Sequence, residues 1–337
     1  MRLETSSALY CIVLISFLCQ TEGSPSADAK ATYTTFDPSG SISTFPTSVS
    51  GSGTIAGYYG DDVGAHGFVR APDGTITTFD AGQYPDTEAW GINDSGETTG
   101  DYDDGSSQHG FVRDADGTIT IFDPPGSIDT GANGINLGGT ITGAYEDNTG
   151  LVHGFLRAPD GSFTTFGPAG STSSGAAAIN DKGDIAGVWF DNANVEHGFE
   201  RARNGTITSF DPPGSTHTEV VGINKGGTIA GQYYDNTGRH GFLRAPDGTF
   251  TTFAIGSEKD TEVTGINKKN ATAGDFGQAK GRRTKTYGFT RRSSGAVTEF
   301  GVRHAYATFP TSINDLGWIT GDYEKPQGAY HGFLRTP

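Results

Sequence analysis

Short apolar segments recur along the chain at a constant spacing, separated by polar turns. The tripeptide His-Gly-Phe begins at His66, His109, His153, His197, His240 and His331, and Tyr287 begins a further copy as Tyr-Gly-Phe. Successive copies start 43, 44, 44, 43, 47 and 44 residues apart. A period in the low forties is typical of propellers and of solenoids of paired helices. The pattern inside one unit decides between these two architectures.

One repeat contains four segments with β-strand character. In residues 222–253 these segments are Gly-Ile-Asn, Thr-Ile-Ala-Gly-Gln-Tyr, His-Gly-Phe-Leu-Arg and Thr-Phe-Thr-Thr-Phe. The turns between them each end in Gly, which supplies the positive φ that such turns require. The strands carry large apolar side chains on both faces, as expected for a sheet buried between two neighbours. The unit therefore predicts a four-stranded antiparallel blade.

The two ends of the chain predict how the ring of blades closes. The Thr-x-Phe strand occurs seven times, but its first copy, Thr34–Phe36, precedes any Gly-Ile-Asn strand, and the last unit stops at Pro337 without one. The N-terminal strand should therefore complete the last blade and remove the open edges. We predict an all-β fold, in which residues 31–337 form one seven-bladed β-propeller closed by N-terminal strand exchange.

The repeated strings also carry a family resemblance. Gly-Ile-Asn, Gly-x-Ile-x-Gly-x-Tyr and His-Gly-Phe-Leu-Arg resemble the bacterial HAF-type extracellular repeats over essentially all of residues 31–337. The family name reflects His-Ala-Phe, whereas every copy here has Gly in the middle and one has Tyr287 in place of His. The resemblance implies an exported bacterial protein. It brings no established activity, so no catalytic residue is carried over.

The N-terminal segment is typical of a secretory signal peptide. The 12-residue apolar run Ala8–Cys19 follows Arg2, and small residues come after it at Gly23 and Ala29. We predict a signal peptide over residues 1–23, with cleavage as late as residue 29 as the second option. The run is shorter than the roughly 20 residues that span a bilayer, so we expect no transmembrane anchor after cleavage. The predicted localisation is secreted, either extracellular or periplasmic.

The net charge and the repeated polar residues argue against several kinds of partner and site. The net charge of −16 disfavours nucleic acid as a partner, because the protein's field repels phosphate. We interpret the repeated histidines as structural, and we expect the seven repeated arginines to pair with turn carboxylates or carbonyls. Acidic turns such as Asp101-Tyr-Asp-Asp-Gly105 suggest calcium as an alternative, but none supplies six to eight oxygen ligands. We therefore predict solvated turns, no metal site and no cofactor.

The connectors that lead into the Gly-Ile-Asn strands differ from repeat to repeat. If the Thr-x-Phe strand is outermost, these connectors reach one mouth of the central channel. The candidate ligand-binding residues there are carboxylates, aromatic residues and two histidines outside the repeat: Asp86, Glu88, Trp90, His217, Glu219, Glu262, His304 and Tyr306. Aromatic faces and carboxylates suit a sugar or polyol ligand. The alternative is a polar rim that binds nothing.

Two function classes remain open on the sequence. The first is a non-catalytic binding or adhesion module for extracellular or cell-envelope glycans or for a protein partner. The alternative is a carbohydrate-active enzyme, a hydrolase or lyase, with a carboxylate pair such as Asp86 with Glu88 or Glu219 with Glu262. Retaining glycosidases hold their carboxyls about 5 Å apart, and inverting ones hold them farther apart. Propellers host both classes, so fold alone does not choose.

The charge pattern breaks in one stretch near the C-terminus. Residues 268–303 hold nine basic side chains against two acidic ones, and the longest repeat spacing falls in the same stretch. We predict that residues 278–285 form an exposed turn. Its basic side chains, Lys280, Arg282, Arg283 and Lys285, are candidates for docking an anionic glycan, a lipid headgroup or another copy's acidic face. The alternative is a solvated loop that balances nearby carboxylates.

Overall fold

The computed structural model describes residues 31–83, 85–256, 260–280, 283–326 and 328–337. The predicted signal peptide, residues 1–23, lies outside these ranges. The described residues form 28 β-strands arranged as seven four-stranded antiparallel sheets. The predicted seven-bladed propeller is therefore confirmed.

Chain order runs from the innermost to the outermost strand in every blade except the last. Blades 1 to 3 comprise β2 (Ser43–Val49), β3 (Ile55–Gly60), β4 (Ala65–Arg70) and β5 (Ile76–Phe79); β6 (Thr87–Ile92), β7 (Thr98–Asp103), β8 (Gln108–Arg113) and β9 (Ile119–Phe122); β10 (Ser127–Ile135), β11 (Ile141–Asp147), β12 (Val152–Arg157) and β13 (Phe163–Phe166). Blades 4 to 6 comprise β14 (Ser173–Ile179), β15 (Ile185–Phe190), β16 (Glu196–Arg201) and β17 (Ile207–Phe210); β18 (His217–Ile223), β19 (Ile229–Asp235), β20 (Gly238–Arg244) and β21 (Phe250–Phe253); β22 (Thr261–Ile266), β23 (Thr272–Lys280), β24 (Arg283–Arg291) and β25 (Val297–Phe300). Blade 7 comprises β26 (Ala307–Ile313), β27 (Ile319–Glu324), β28 (Tyr330–Thr336) and β1 (Thr32–Phe36). The first strand of each blade in this order lines the central channel, a cavity of about 230 Å³.

Two repeated glycines allow the close packing inside each blade. A Cβ atom on Gly231 would lie 2.0 Å from the carbonyl oxygen of Glu219 on the neighbouring inner strand. A Cβ atom on Gly241 would lie 2.5 Å from the ring of Phe253 on the outer strand. Both positions recur in the other blades, so only glycine fits there without displacing a neighbour. This packing explains why the second and third strands each carry an unchanging Gly.

The seven repeated arginines connect neighbouring blades through aromatic rings. Each guanidinium lies 4.6–5.1 Å from the ring centroid of the Thr-x-Phe phenylalanine of the preceding blade, in the pairs Arg70–Phe36, Arg113–Phe79, Arg157–Phe122, Arg201–Phe166, Arg244–Phe210, Arg291–Phe253 and Arg335–Phe300. Some also donate to a turn carbonyl, as predicted. Within the described ranges, however, a carboxylate partner is present only for Arg244, at Glu200. Arg70, Arg113 and Arg291 thus meet the prediction through turn carbonyls, and turn carboxylates act on Arg70 and Arg113 through the charges of Asp73 and Asp116. The contact with the phenylalanine face was not predicted.

A ring of asparagine hydrogen bonds links the inner strands at the end of the channel opposite the connectors. In blades 2 to 7, the Nδ2 amide of the asparagine that follows the inner strand donates to the backbone carbonyl at the same position of the next blade, over 2.9–3.2 Å, in the series Asn93, Asn136, Asn180, Asn224, Asn267, Asn314 and finally Ser50. The Oδ1 atom of the same side chain accepts NH groups of its own turn, as Asn224 does from Gly226 and Thr228. We call this set the asparagine ring. In blade 1 the corresponding residue is Ser50, whose side chain is shorter than that of asparagine.

The predicted strand exchange closes the propeller. Strand β1 pairs with β28 in antiparallel register from Thr32 opposite Thr336 to Phe36 opposite Gly332. Just beyond β1, Asp37 bonds His331 of blade 7 at 2.8 Å through one carboxylate oxygen. Its other oxygen accepts from Thr44 of blade 1, also at 2.8 Å. Asp37 therefore joins the last blade to the first.

Deleting residues Tyr33 to Asp37 should destroy cooperative folding of the ring. The deletion removes the outer strand of blade 7 and the Asp37 bridge, which leaves an open sheet edge. Thermal unfolding of the truncated mature protein, followed by circular dichroism, should be broad and begin at a lower temperature. A truncated protein that melts as sharply and at the same temperature as the mature chain would refute closure by β1.

Replacing Ser50 with Asn should complete the asparagine ring. The turn after Ser50 has the same backbone bonds as the turn after Asn93, so the longer amide should reach the carbonyl of Asn93. We expect a gain of about 1 kcal/mol in the free energy of unfolding, measured by urea denaturation. Ser95→Asn, an exposed change in the next blade's turn, is the matched control and should have no effect. Equal stability of the two variants would show that the seventh link does not form.

Candidate functional site

Three positions in each blade vary between repeats although the motifs around them do not. The first lies on the inner strand: Phe45, Glu88, Gly131, Gly175, Glu219, Glu262 and Phe309. The second is the residue between Gly and Tyr or its equivalent on the second strand: Tyr58, Asp101, Ala144, Val188, Gln232, Asp275 and Asp322. The third precedes the His-Gly-Phe motif: Ala65, Gln108, Val152, Glu196, Arg239, Thr286 and Tyr330. The first two are cross-strand partners in every blade, so their side chains share one face at the connector end of the channel, which we call the mouth.

Five aromatic rings form a continuous series across blades 7, 1 and 2 at the mouth. In order they are Phe309, Tyr330, Phe45, Tyr58 and Trp90, and successive ring centroids lie 6.4, 5.5, 5.2 and 5.6 Å apart. We call this series the aromatic arc. These distances lie within the range of favourable aromatic packing, and all five rings are partly exposed.

Blade 2 places three carboxyl groups beside one end of the aromatic arc. Asp86 is exposed, Glu88 is half-buried, and Asp101 is only 4% exposed. The indole NH of Trp90 donates to Asp101 at 2.7 Å, and the amide of Gln108 donates to its other oxygen. Burial, with Glu88 adding repulsion, raises the pKa of Asp101 to about 7. Burial and the charge of Asp86 also raise the pKa of Glu88.

Blade 6 carries the same three carboxyls at the same positions, but there they meet an arginine. Arg239 of blade 5 donates from Nε to Asp260 at 2.9 Å and from Nη1 to Glu262. Asp275, at the position of Asp101, is 7% exposed. Burial raises the pKa of Asp275 to about 8, and the charge of Glu262 contributes in the same direction.

A third buried carboxyl and a phenol lie between these two groups. Asp322 of blade 7 is 7% exposed, and burial raises its pKa to about 7. Burial also raises the pKa of Tyr58 to about 12, with Glu88, Asp322 and Asp101 adding repulsion in that order. Three carboxyls from blades 7 and 2 therefore surround the Tyr58 phenol in the middle of the aromatic arc.

Blades 4 and 5 contribute a further acid and a histidine. Glu196 of blade 4 lies 2.9 Å from Nε2 of His217 of blade 5, and burial, with the charge of Glu219, raises the pKa of Glu196 to about 7. The side-chain amide of Gln232 donates to Glu219 and accepts from the backbone NH of Val263 at 3.1 Å. This part of the mouth is therefore a network of paired polar groups.

Most of the residues predicted from the sequence do lie at this mouth. Asp86, Glu88, Trp90, His217, Glu219 and Glu262 are all on or next to the inner strands of blades 2, 5 and 6. His304 instead occupies an exposed connector turn with φ of 65°, where blade 5 has Gly214 at 83°. Tyr306 is 37% exposed in the same connector. In the described ranges, neither joins the ring contacts or hydrogen bonds of the mouth.

The structure brings together one of the two predicted carboxyl pairs: Asp86 and Glu88 both belong to the blade 2 group, where burial and the charge of Asp86 raise the pKa of Glu88. Glu219 and Glu262, by contrast, hold separate partners, Gln232 and Arg239. Two further pairs, which the sequence did not predict, are opposed across neighbouring strands: Glu88 with Asp101 and Glu262 with Asp275.

Sequence reasoning missed the second-strand residues. It assigned Asp101 to a solvated turn, whereas Asp101 is a buried residue of β7. It did not single out Tyr58, Asp275 or Asp322. One signal was present in the sequence: the residue between Gly and Tyr is the variable position within an otherwise repeated strand.

The repeated histidines have structural partners in the blades. His66 stacks on Tyr59 with 5.1 Å between ring centroids, and its Nδ1 bonds Asp80 at 2.7 Å. His109 and His197 have the same kind of carboxylate partner, Asp123 and Asp211, at the end of the outer strand. These contacts tie the third strand to its neighbours on both sides.

The basic insertion is a hairpin extension and not a long exposed turn. Strands β23 and β24 pair as far as Lys280 opposite Arg283. Lys285 is half-buried, and its Nζ donates to the carbonyl of Ala305 at 2.9 Å. Arg282 and the side chains of Lys280 and Arg283 lie outside the described part of the chain. The docking hypothesis for these four residues stays a prediction, with Lys285 already engaged.

Neither a metal cluster nor a spanning helix is found in the part of the chain that the structure describes. No three His, Cys, Asp or Glu side chains there are grouped so that they could hold a metal ion. Likewise, the described residues contain no helix of the length and apolarity needed to cross a membrane.

The buried mouth carboxyls should make the protein less stable as pH rises. Folded Asp275 and Asp322 keep their protons up to pH about 8 and 7, whereas unfolded carboxyls ionise near pH 4, so their contribution to stability is largest below pH 4 and falls up to pH 8. Asp275→Asn and Asp322→Asn should therefore melt at a higher temperature than the unmodified protein at pH 8.5, and their melting temperatures should fall less between pH 6 and 8.5.

An exposed change is the matched control for these two variants. Asp62→Asn also removes one acidic group but lies on the surface, so its pH slope should equal that of the unmodified protein. The histidines act in the same direction in all these proteins: burial opposes, but hydrogen bonds to Asp80 and Asp61 outweigh it and raise the pKa of His66. Identical slopes for all four proteins would contradict protonated Asp275 and Asp322.

Comparison with known proteins shows similarity in fold alone. No family model and no curated protein sequence matches the chain. A streptogramin B lyase structure aligns with a TM-score of 0.61 and 14% identity, over 91% of this chain and 98% of that one. Virginiamycin B lyase from Staphylococcus aureus aligns with a TM-score of 0.60 and 14% identity, over 91% and 100%. The β-propeller domain of the Trilobed protease from Pyrococcus furiosus is described as having an open velcro topology. It aligns with a TM-score of 0.60 and 8% identity, over 87% of this chain and 95% of that one. The last blade of the present chain, by contrast, is closed by β1.

Proposed function

We propose that the protein is an exported, non-catalytic binding propeller whose mouth binds a glycan of the extracellular space or the cell envelope. The observation that carries the proposal is the aromatic arc, with buried carboxyls on both of its sides. Sugars present apolar C–H faces that stack on aromatic rings, and they present hydroxyls that exchange hydrogen bonds with carboxyl groups. The arc of blades 7, 1 and 2 offers both within one continuous surface.

The protonation of the mouth carboxyls supports a ligand rich in hydroxyls. Asp101 and Asp322 have pKa values of about 7, so a fraction of each is protonated at neutral pH. A protonated carboxyl donates one hydrogen bond and accepts others, which matches the mixed donor and acceptor pattern of a sugar.

The shape of the mouth supports a chain-like ligand. Blades 3 and 4 have small residues at five of their six variable positions, Gly131, Ala144, Val152, Gly175 and Val188, and the sixth is Glu196. A Cβ atom on Gly131 would have no heavy atom closer than 3.9 Å. The small side chains leave one side of the mouth open, so an extended glycan has room to pass beyond the arc.

The export part of the proposal rests on the N-terminal sequence. The apolar run with its following small residues is typical of a signal peptide, and the repeats resemble the HAF-type extracellular family. Secretion into the extracellular space or periplasm follows from both.

A carbohydrate-active enzyme is the second candidate, and one observation favours it. Glu88 and Asp101 oppose each other across β6 and β7, and the deeper of the two has a pKa of about 7. Groups that hold and release protons near neutral pH suit general acid–base catalysis. The lyases with a similar fold show that enzymes occur on this architecture, but they carry no residue role over to this chain.

A glycan array probed with the mature protein, residues 24–337, tests the proposal. We expect binding to a defined set of glycans, and Trp90→Ala and Tyr330→Ala should each weaken it at least about 10-fold, because each removes a stacking face. Leu137→Ala is the control, since Leu137 is 50% exposed in a turn at the opposite end of the channel. Binding to no glycan, or equal binding by all variants, would contradict the proposal. Release of new sugar ends from a bound glycan would favour the enzyme.

A further inference from the structure

Blades 2 and 6 carry the same acidic sequence but differ in what faces it. Asp86-Thr87-Glu88 of blade 2 corresponds to Asp260-Thr261-Glu262 of blade 6, and Asp101 corresponds to Asp275. We call each set of three carboxyls an acidic triad. No other blade has acids at all three positions. The two triads therefore allow an internal comparison within one molecule.

In blade 6 the negative charge of the triad is neutralised by an arginine of the neighbouring blade 5. Arg239 of blade 5 donates to Asp260 and Glu262, and its side chain is mostly buried. Tyr234, its cross-strand partner on β19, lies beside it. Desolvation lowers the pKa of this guanidinium, but the charges of Glu262 and Asp260 outweigh it and raise the pKa well above its usual range. The blade 6 triad therefore holds a cation tightly.

In blade 2 the same place has no cation. The residue of blade 1 at the position of Arg239 is Ala65, and the isolated bridges Ala65–Asp86 and Arg239–Asp260 show that the backbones superpose in register. The residue at the position of Tyr234 is Gly60, and a Cβ atom built there meets nothing within 4 Å. In the described ranges, no basic side chain forms an ion pair with Asp86 or Glu88. Two large side chains are thus replaced by small ones beside an equivalent triad.

The walls of the space between blades 1 and 2 also suit a cation. Tyr58 and Trp90 lie on its channel side, 5.6 Å apart, where blades 5 and 6 have Gln232 and Thr264. An aromatic face attracts a cation in addition to the attraction of the carboxylates. On the far side of Tyr58, Asp322 is 7% exposed, and its charge adds to the burial that raises the pKa of Tyr58. Blade 2 thus combines an open volume, negative charge and aromatic faces.

We propose that the space between blades 1 and 2, bounded by Gly60, Ala65, Asp86, Glu88 and Trp90, binds a cationic nitrogen group of the ligand. The ligand's ammonium group takes the place that the Arg239 guanidinium occupies between blades 5 and 6. This subsite rests on the proposed glycan-binding role of the mouth, and it identifies the glycan as one that carries free amino sugars.

Two tetrasaccharides with the same sugar backbone, one with free amino groups and one with acetylated ones, test this subsite. One is the β-1,4-linked tetramer of glucosamine and the other is its N-acetylated counterpart, each titrated calorimetrically at pH 6 against the mature protein. The unmodified protein should bind the glucosamine tetramer at least about 10-fold more tightly, because its ammonium group forms charge-assisted hydrogen bonds with the carboxylates. Ala65→Arg should supply the cation from within the chain, abolish this preference and raise the melting temperature.

Leu137→Arg is the matched control for net charge. It adds the same side chain in an exposed turn at the opposite end of the channel, so it should keep the preference for the charged tetramer. If Ala65→Arg does not fold, Glu88→Gln serves instead and should reduce the preference towards unity. Equal loss of preference in Ala65→Arg and Leu137→Arg, or no loss in Ala65→Arg and Glu88→Gln, would overturn the inference.

The outcomes separate this inference from the function on which it rests. Equal binding of both tetramers by the unmodified protein would overturn the cationic subsite but would support glycan binding at the mouth. Binding of neither tetramer, with binding of neutral glycans on the array, would also overturn the subsite alone. Binding of no glycan in either experiment would contradict the proposed function itself.

Discussion

The hydrogen bond from each asparagine amide to the next blade is the contact on which the geometry of this propeller most depends. A blade with apolar side chains on both faces is stable only between two neighbours, so the angle between blades must be the same around the ring. Each ring asparagine is 4–8% exposed and bonds its own turn and the next blade at once. A buried amide that lost these partners would cost about 1–3 kcal/mol, which disfavours any other spacing of the inner strands. The arginine–phenylalanine contacts repeat the same linkage at the outer edge.

The residues that make these contacts between blades are not the residues that differ from blade to blade. The motif Gly, Phe and Arg recur in all seven blades and Asn and His in six, and each makes an equivalent contact in the blades that carry it. The three variable positions all lie towards the connector end, where the strands diverge from the channel and no neighbour dictates the side chain. The aromatic arc and both acidic triads are built from these positions and from adjacent connector residues. A rigid ring therefore carries a mouth whose chemistry changes from blade to blade.

The sequence predicted the blade count and the strand order, because each of the four strand motifs recurs once per repeat. It predicted the closure, because the chain begins with a Thr-x-Phe strand and its last repeat lacks one. It also placed Glu88, Trp90 and Glu262 at the mouth, because their connectors vary. It could not show that Asp101 and Asp275 lie opposite Glu88 and Glu262, since cross-strand register depends on the bulge that each inner strand contains. Nor could it show that Arg239 reaches the triad of the following blade. That contact is between residues 21 and 23 positions apart, and it depends on how blades pack.

The central claim, that repeated residues hold the ring and variable residues form the site, is tested most directly by measuring stability and affinity on the same two variants. Asn224→Ala removes a link of the asparagine ring, and Phe45→Ala removes the middle of the aromatic arc. Melting temperature and calorimetric affinity for the glucosamine tetramer should separate them. The account predicts that Asn224→Ala lowers the melting temperature and leaves the affinity unchanged, whereas Phe45→Ala lowers the affinity with a much smaller effect on melting. Loss of affinity in Asn224→Ala with full affinity in Phe45→Ala would contradict it.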